Sequence, residues 1–152
     1  MPETEVDPLS AEEEAFWRAL MRIVLSLPRR LDTDLVRAAG ITANEYTTLM
    51  CLSEAPDHEL RMTSLANAAA LSASRISRLV DDLRARGLVE KRTSPEDGRG
   101  HIATLTPAGL AKVEAVWPAH LASVRARVFD HLDASAVGKA AQVLSDVAAT
   151  LE

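Results

Sequence analysis

Apolar residues recur at intervals of three and four from Phe16 to about Ala39, as Phe16, Leu20, Ile23, Val24, Leu27, Leu31, Leu35 and Ala38. This is the spacing of an amphipathic helix. Pro28 falls inside the stretch, removing a backbone donor and predicting a kink or a restart near Leu27, and Gly40 predicts the C-terminal stop. Thr42-Ala-Asn-Glu45 has the form of a capping box, which opens a second helix to about Glu54. After a turn at Ala55-Pro-Asp-His58, a short strand is predicted over Glu59 to Met62. Thr63 then reads as the N-cap of a brief helix through Ala70, and Ser72 as the N-cap of another that runs to about Arg86 and stops at Gly87. Two short helices with so tight a joint form a helix-turn-helix. Leu88 to Thr93 and His101 to Leu105 read as strands joined by the turn-rich Ser94-Pro-Glu-Asp-Gly-Arg-Gly100, a β-hairpin with a basic tip. Thr106-Pro107 places an N-cap before a proline at the first helical position. The helix it opens continues through Leu110, Val113, Trp117, Leu121, Val124 and Val128, with a bend expected at Pro118. Asp133 caps a last helix with an apolar stripe at Val137, Ala140, Ala141, Leu144, Val147, Ala148 and Leu151.

Composition narrows what such a chain can be. Its 152 residues suit one domain, and 47% hydrophobic with 26% charged residues is a globular balance. No apolar run approaches the ~20 residues of a membrane span, so a soluble protein is expected. Cys51 is the only cysteine and excludes an intramolecular disulfide, and the acidic start MPETEVDPLSAEEE is unlike a signal peptide. Both point to the cytoplasm. A net charge of -5 argues at first against nucleic acid, but the charge is unevenly placed. Glu3, Glu5, Asp7, Glu12, Glu13 and Glu14 stand without a basic residue in the first fourteen, whereas Arg61 to His101 holds eight basic residues against five acidic ones. A basic module sits inside an acidic chain.

The second helix of the helix-turn-helix carries Ser72, Ser74, Arg75, Ser77 and Arg78 in its first two turns, with Leu71, Ile76, Leu79, Val80 and Leu83 supplying the apolar side. A helix that enters the major groove by its N-terminal turns needs small hydroxyl residues for close approach and arginine to reach phosphate or guanine. Taken alone, the same residues also fit a solvated surface helix. At the hairpin tip, Asp97-Gly98-Arg99-Gly100 sets an arginine between two turn-permitting glycines, from where it can reach a minor groove, and Asp97 is placed to orient it. DGRG alone is also an ordinary turn.

Asp97-x-Arg99 followed by Leu105-Thr106-x-x-Gly109 resembles the DxRxxxxxLTxxG signature of MarR-type winged-helix regulators. The run Thr63-Ser-Leu-Ala66, Leu71-Ser72, Ser77-Arg78-Leu79-Val80-Asp81-x-Leu83 and Arg86-Gly87-Leu88-Val89 is similar to the family's helix-turn-helix and strand entry. The motifs cover about Thr42 to Gly109. The resemblance implies a mainly α chain, with a winged helix-turn-helix lobe at 42–106 and dimerisation helices at 1–40 and 107–152. It implies a homodimer reading double-stranded DNA at a pseudo-palindromic operator, most simply as a repressor. The apolar stripes of the terminal helices agree, since they exceed what one small lobe can cover. By position, Arg78 matches the family's recognition-helix arginine and Arg99 its wing arginine; Ser72, Ser74 and Arg75 follow from their place on the helix. Gly98 departs from the basic residue that many relatives carry there, which implies a weaker electrostatic grip.

Relatives often bind a small phenolic or aromatic effector in a crevice between the dimer helices and the lobe. Trp17, Met21, Tyr46, Met50, Trp117 and His120 are the candidates here, although each also fits ordinary core or dimer packing. Cys51 reads as a small buried apolar group rather than a redox sensor. His58, His101, His120 and His131 lack metal-ligand spacing, and no catalytic triad or phosphate loop is present, so no metal, cofactor or enzymatic activity is expected. The reading that competes with a DNA-binding regulator is a winged-helix module for protein contact, whose basic face meets an acidic partner.

Overall fold

Ser10 starts the first helix with a reciprocal pair of bonds: its hydroxyl accepts from the Glu13 amide, and the Glu13 carboxylate accepts from the Ser10 amide. Helix α1, Ala11–Ala39, therefore begins a full turn before Phe16. The computed structural model describes residues 7–95, 98 and 100–151. Pro28 does not restart α1, which runs through it unbroken to a left-handed Gly40 with φ of 62°. The apolar positions keep one helical phase on both sides of the proline, whose missing amide removes a single backbone bond from a 29-residue helix. Thr42 and Glu45 form the expected capping box at the start of α2, Ala43–Glu54. Asp32 on α1 adds a third cap by accepting from the Ala43 amide at 2.9 Å.

A 3-10 turn at Pro56–His58 leads into β1, Glu59–Arg61. Here α3, Met62–Ala68, departs from expectation: Arg61 is its N-cap, without a side-chain cap, and Thr63 lies inside the helix. Arg61 is still paired with Ile102 across the sheet, so the strand end, not a capping hydroxyl, sets where α3 begins. Ser72 caps α4, Ala73–Ala85, as expected, and Gly87 turns with φ of 72° into β2, Val89–Thr93. β3, His101–Leu105, lies between β1 and β2 in an antiparallel sheet. Thr106 then caps α5, Pro107–Arg127, which also runs through its proline, Pro118, and a short 3-10 turn precedes α6, Ala134–Ala148, capped by Asp133.

Leu49, Leu52, Leu65, Val80, Leu83 and Ala103 are fully buried and join α2, α3, α4 and the sheet into one core, which Leu35 of α1 and Val116 of α5 close from the side. Two polar ties hold α1 against α5. Asp34 accepts from the Ser123 hydroxyl at 2.6 Å and from Arg127 at two positions, each 3.0 Å, and the Lys112 ammonium donates to the Ala39 carbonyl at 2.8 Å. The Arg127 guanidinium, and after it the Ser123 hydroxyl, hold the Asp34 carboxyl at about 2, well below its ordinary value of 3.8. A carboxyl depressed on folding contributes stability above its unfolded pKa and loses it as pH falls through the folded one. Asp34→Asn is therefore expected to be less stable than the parent at neutral pH, with the difference shrinking between pH 4 and about 2. Urea midpoints across that window check it; a constant gap would contradict the assignment.

By contrast, α6 has no buried residue and leaves Val143, Leu144 and Val147 exposed on one stripe. The first half of α1 likewise exposes Phe16, Trp17, Ile23, Val24 and Leu25. Among the described residues, no helix is long and apolar enough to cross a membrane.

Candidate nucleic-acid interface

Helix α4 turns Ile76, Val80 and Leu83 into the core, and this fixes what it can show to a partner. Ser72, Ser74, Arg75 and Arg78 are all exposed, on the first two turns. The Ser72 hydroxyl accepts from the Arg75 amide and lies 3.4 Å from the Ser74 hydroxyl. Among the described residues Arg78 donates only to the carbonyl of Ser74, one turn back, and no carboxylate pairs with either arginine. Two unneutralised guanidinium groups thus stand three residues apart beside small hydroxyls. Ser77 differs from the other candidates: it is half-buried, and its hydroxyl accepts from the Lys91 ammonium at 3.5 Å. Lys91 also pairs with Asp81 at 3.0 Å, tying β2 to the back of α4. Lys91 is not among the residues that helical spacing singles out; its alternation in β2 is the signal that marks it.

The hairpin is closed by the Ser94 amide donating to the Gly100 carbonyl at 2.7 Å, and Gly98 takes a left-handed φ of 62°. Asp97 and Arg99 lie outside the described residues. At the base of the wing, Arg92 donates to both oxygens of Glu59 at 3.0 Å, crossing from β2 to β1 over β3. Where the wing meets α5, Thr106 does double service: its hydroxyl accepts from the Gly109 amide at 3.0 Å and donates to the Gly87 carbonyl at 2.7 Å. A Cβ on Gly109 would come within 2.1 Å of the Leu88 carbonyl oxygen. This explains physically why threonine and glycine stand three apart at this junction.

Of the six crevice candidates, four come together. Tyr46, Met50 and Trp117 line a groove of about 300 Å³ between α2 and α5, rimmed by Glu54 and Glu114. The His120 ring lies 4.8 Å from that of Tyr46 and 6.1 Å from that of Trp117. The Tyr46 hydroxyl and His120 Nδ1 are buried without a hydrogen-bond partner among the described residues. Burial pushes the His120 pKa down and, with a smaller push from Glu54, the Tyr46 pKa up. Trp17 is elsewhere, in an apolar hollow with Leu9 and Phe16, and Met21 is half-buried one turn along the same helix. Cys51 is half-buried, and burial first, then Glu54, raises its thiol pKa, the reverse of what an activated thiolate requires. Among the described residues no cluster of His, Cys, Asp or Glu could hold a metal ion. A larger cleft, about 970 Å³, runs between α1, the start of α2 and α4, and brings Arg29 to the same space as Arg75 and Arg78. No local sequence pattern foretells it.

Residues 39–100 match the model of the MarR family. Sco3205, a MarR family transcriptional regulator from Streptomyces coelicolor solved in complex with DNA, is 35% identical, with a TM-score of 0.88 over 97% of this chain and 92% of that one. AbsC, a MarR family transcriptional regulator of the same organism, is 32% identical, with a TM-score of 0.86 over 96% of this chain and 98% of that one. The HTH-type transcriptional repressor YetL of Bacillus subtilis is 32% identical over 94 residues, which are 62% of this chain. The match spans 56% of YetL, little more than half its length.

Proposed function

Because the chain belongs to the MarR family of transcriptional regulators and is accordingly not an enzyme, we propose that it works as a cytoplasmic homodimer that binds a pseudo-palindromic operator and represses nearby genes. The observation that carries this reading is the exposed pair Arg75 and Arg78, unpaired among the described residues and set beside Ser72 and Ser74 on the N-terminal turns of α4. Such a surface costs electrostatic self-repulsion unless phosphate or guanine comes to meet it. The wing, with Asp97 and Arg99, supplies the second contact, in the neighbouring minor groove. The dimer rests on the exposed stripe of α6 and the exposed apolar residues of α1, which a second copy would cover. Release by a small aromatic effector rests on the groove at Tyr46, Met50, Trp117 and His120, where buried polar atoms await a partner; Trp17 and Met21 belong to that site only if the second chain brings them there.

Sequencing genomic fragments enriched by the full chain tests the reading. The expected product is one motif with two-fold symmetry and half-sites about 10 base pairs apart, whose affinity falls steeply between 50 and 200 mM salt. Absence of a motif, or an affinity insensitive to salt, would instead favour the protein-contact module.

A further inference from the structure

Arg29 and Arg30 are adjacent on α1 and so project about 100° apart. Only the first lines the large cleft, whose walls also include Arg75, Arg78 and the start of α2. Three carboxylates share this space, but two are already engaged. Asp32 accepts from the Ala43 amide, while Glu45 takes the Thr42 amide on one oxygen and Arg86, at 2.7 Å, on the other. With Glu45 neutralised by Arg86, Asp32 and Asp82 stand against three guanidinium groups there, and among the described residues none of the three is paired with a carboxylate. The positive surface of α4 therefore does not end at the winged helix; it continues across the cleft onto the long N-terminal helix.

A helix seated in the major groove is flanked by both sugar-phosphate strands, so a cation displaced to one side of it meets a phosphate and not a base edge. We propose that Arg29 of α1 is a phosphate-contacting residue that extends the DNA footprint beyond the winged-helix lobe and fixes the angle at which the lobe sits on the duplex. This rests on the DNA-binding reading of α4. It adds a contact from an element that the sequence reading assigned to dimerisation alone.

The test uses the full chain and the enriched operator, with log affinity measured against log salt concentration for four variants. Each phosphate contact contributes about 0.9 to that slope. Arg29→Ala is expected to flatten it by about 1 per protomer without changing the enriched motif, Arg29→Lys to restore it, and Arg30→Ala to match the parent. A lysine rescue separates a charge contact from a packing role. A parental slope in Arg29→Ala, or equal losses in Arg29→Ala and Arg30→Ala, overturns the assignment while leaving the α4 reading intact. If Arg78→Ala also binds as the parent does, the placing of α4 in the groove, on which this assignment rests, fails.

Discussion

Replacing Gly109 by alanine is expected to cost about 3 kcal/mol, the upper range for overpacking, and to lower the melting temperature by roughly 10 °C. The added methyl would lie 2.1 Å from the Leu88 carbonyl oxygen and 2.6 Å from a methyl of Leu105. The leucine side chain can rotate away, but the carbonyl cannot: it is backbone, and it accepts from the Thr106 amide at 3.1 Å. Relief therefore requires α5 to lift from the sheet, which strains the Thr106 bonds to Gly87 and Gly109 together. Gly138 on α6 is the control, because nothing lies within 4 Å of its Cβ position. Alanine there is expected to be neutral or slightly stabilising through helix propensity. Denaturant midpoints of the two variants decide the matter, and similar values for both would show that the Leu88 contact does not constrain the junction.

Arg78→Ala is expected to weaken operator binding by about 1–3 kcal/mol, roughly five- to 150-fold, and to relax base preference at one position in each half-site. Arg78 is exposed and, among the described residues, holds only a long bond to the carbonyl of Ser74, so its removal is expected to leave the fold intact. The loss then reads out recognition and not stability. Affinities for the operator and for single-base variants provide the check. A uniform drop over all sequences would make Arg78 a phosphate contact, and no drop would remove it from the interface.

Several features were legible in the sequence because their causes are local. Thr42 with Glu45, Ser72, Gly87, Thr106 with Pro107, and Asp133 set element ends through bonds or dihedrals spanning a few residues, and each acts where its type implied. Ser10 and Glu13 were equally legible as a capping box, but the apolar stripe drew the helix start to Phe16 instead. Thr63 misled for the opposite reason: a good capping residue stood next to a strand end that had already fixed the start of α3. At Pro28 a restart was one of two expected outcomes and does not occur, and α5 likewise continues through Pro118, since one missing backbone bond is a small part of so long a helix. The sites show the same division. The exposed face of α4 followed from helical spacing, whereas the pairing of Tyr46 with His120 and the sharing of one cleft by Arg29 and Arg78 depend on how α1, α2, α4 and α5 are arranged, which no window of residues encodes. Trp17 shows the limit well: amphipathic spacing names the face a residue occupies, not the neighbours it will have.

The threonine at the root of α5 also has a mechanical meaning. β3 passes into α5 without a loop, and Thr106 is pinned to Gly87 by its hydroxyl and to Leu88 by its amide. Strand and helix thus share one corner at residue 106, with α5 on one side of it and β3 on the other. Tilting α5 relative to the lobe would have to stretch the bonds that Thr106 makes to Gly87 and Leu88.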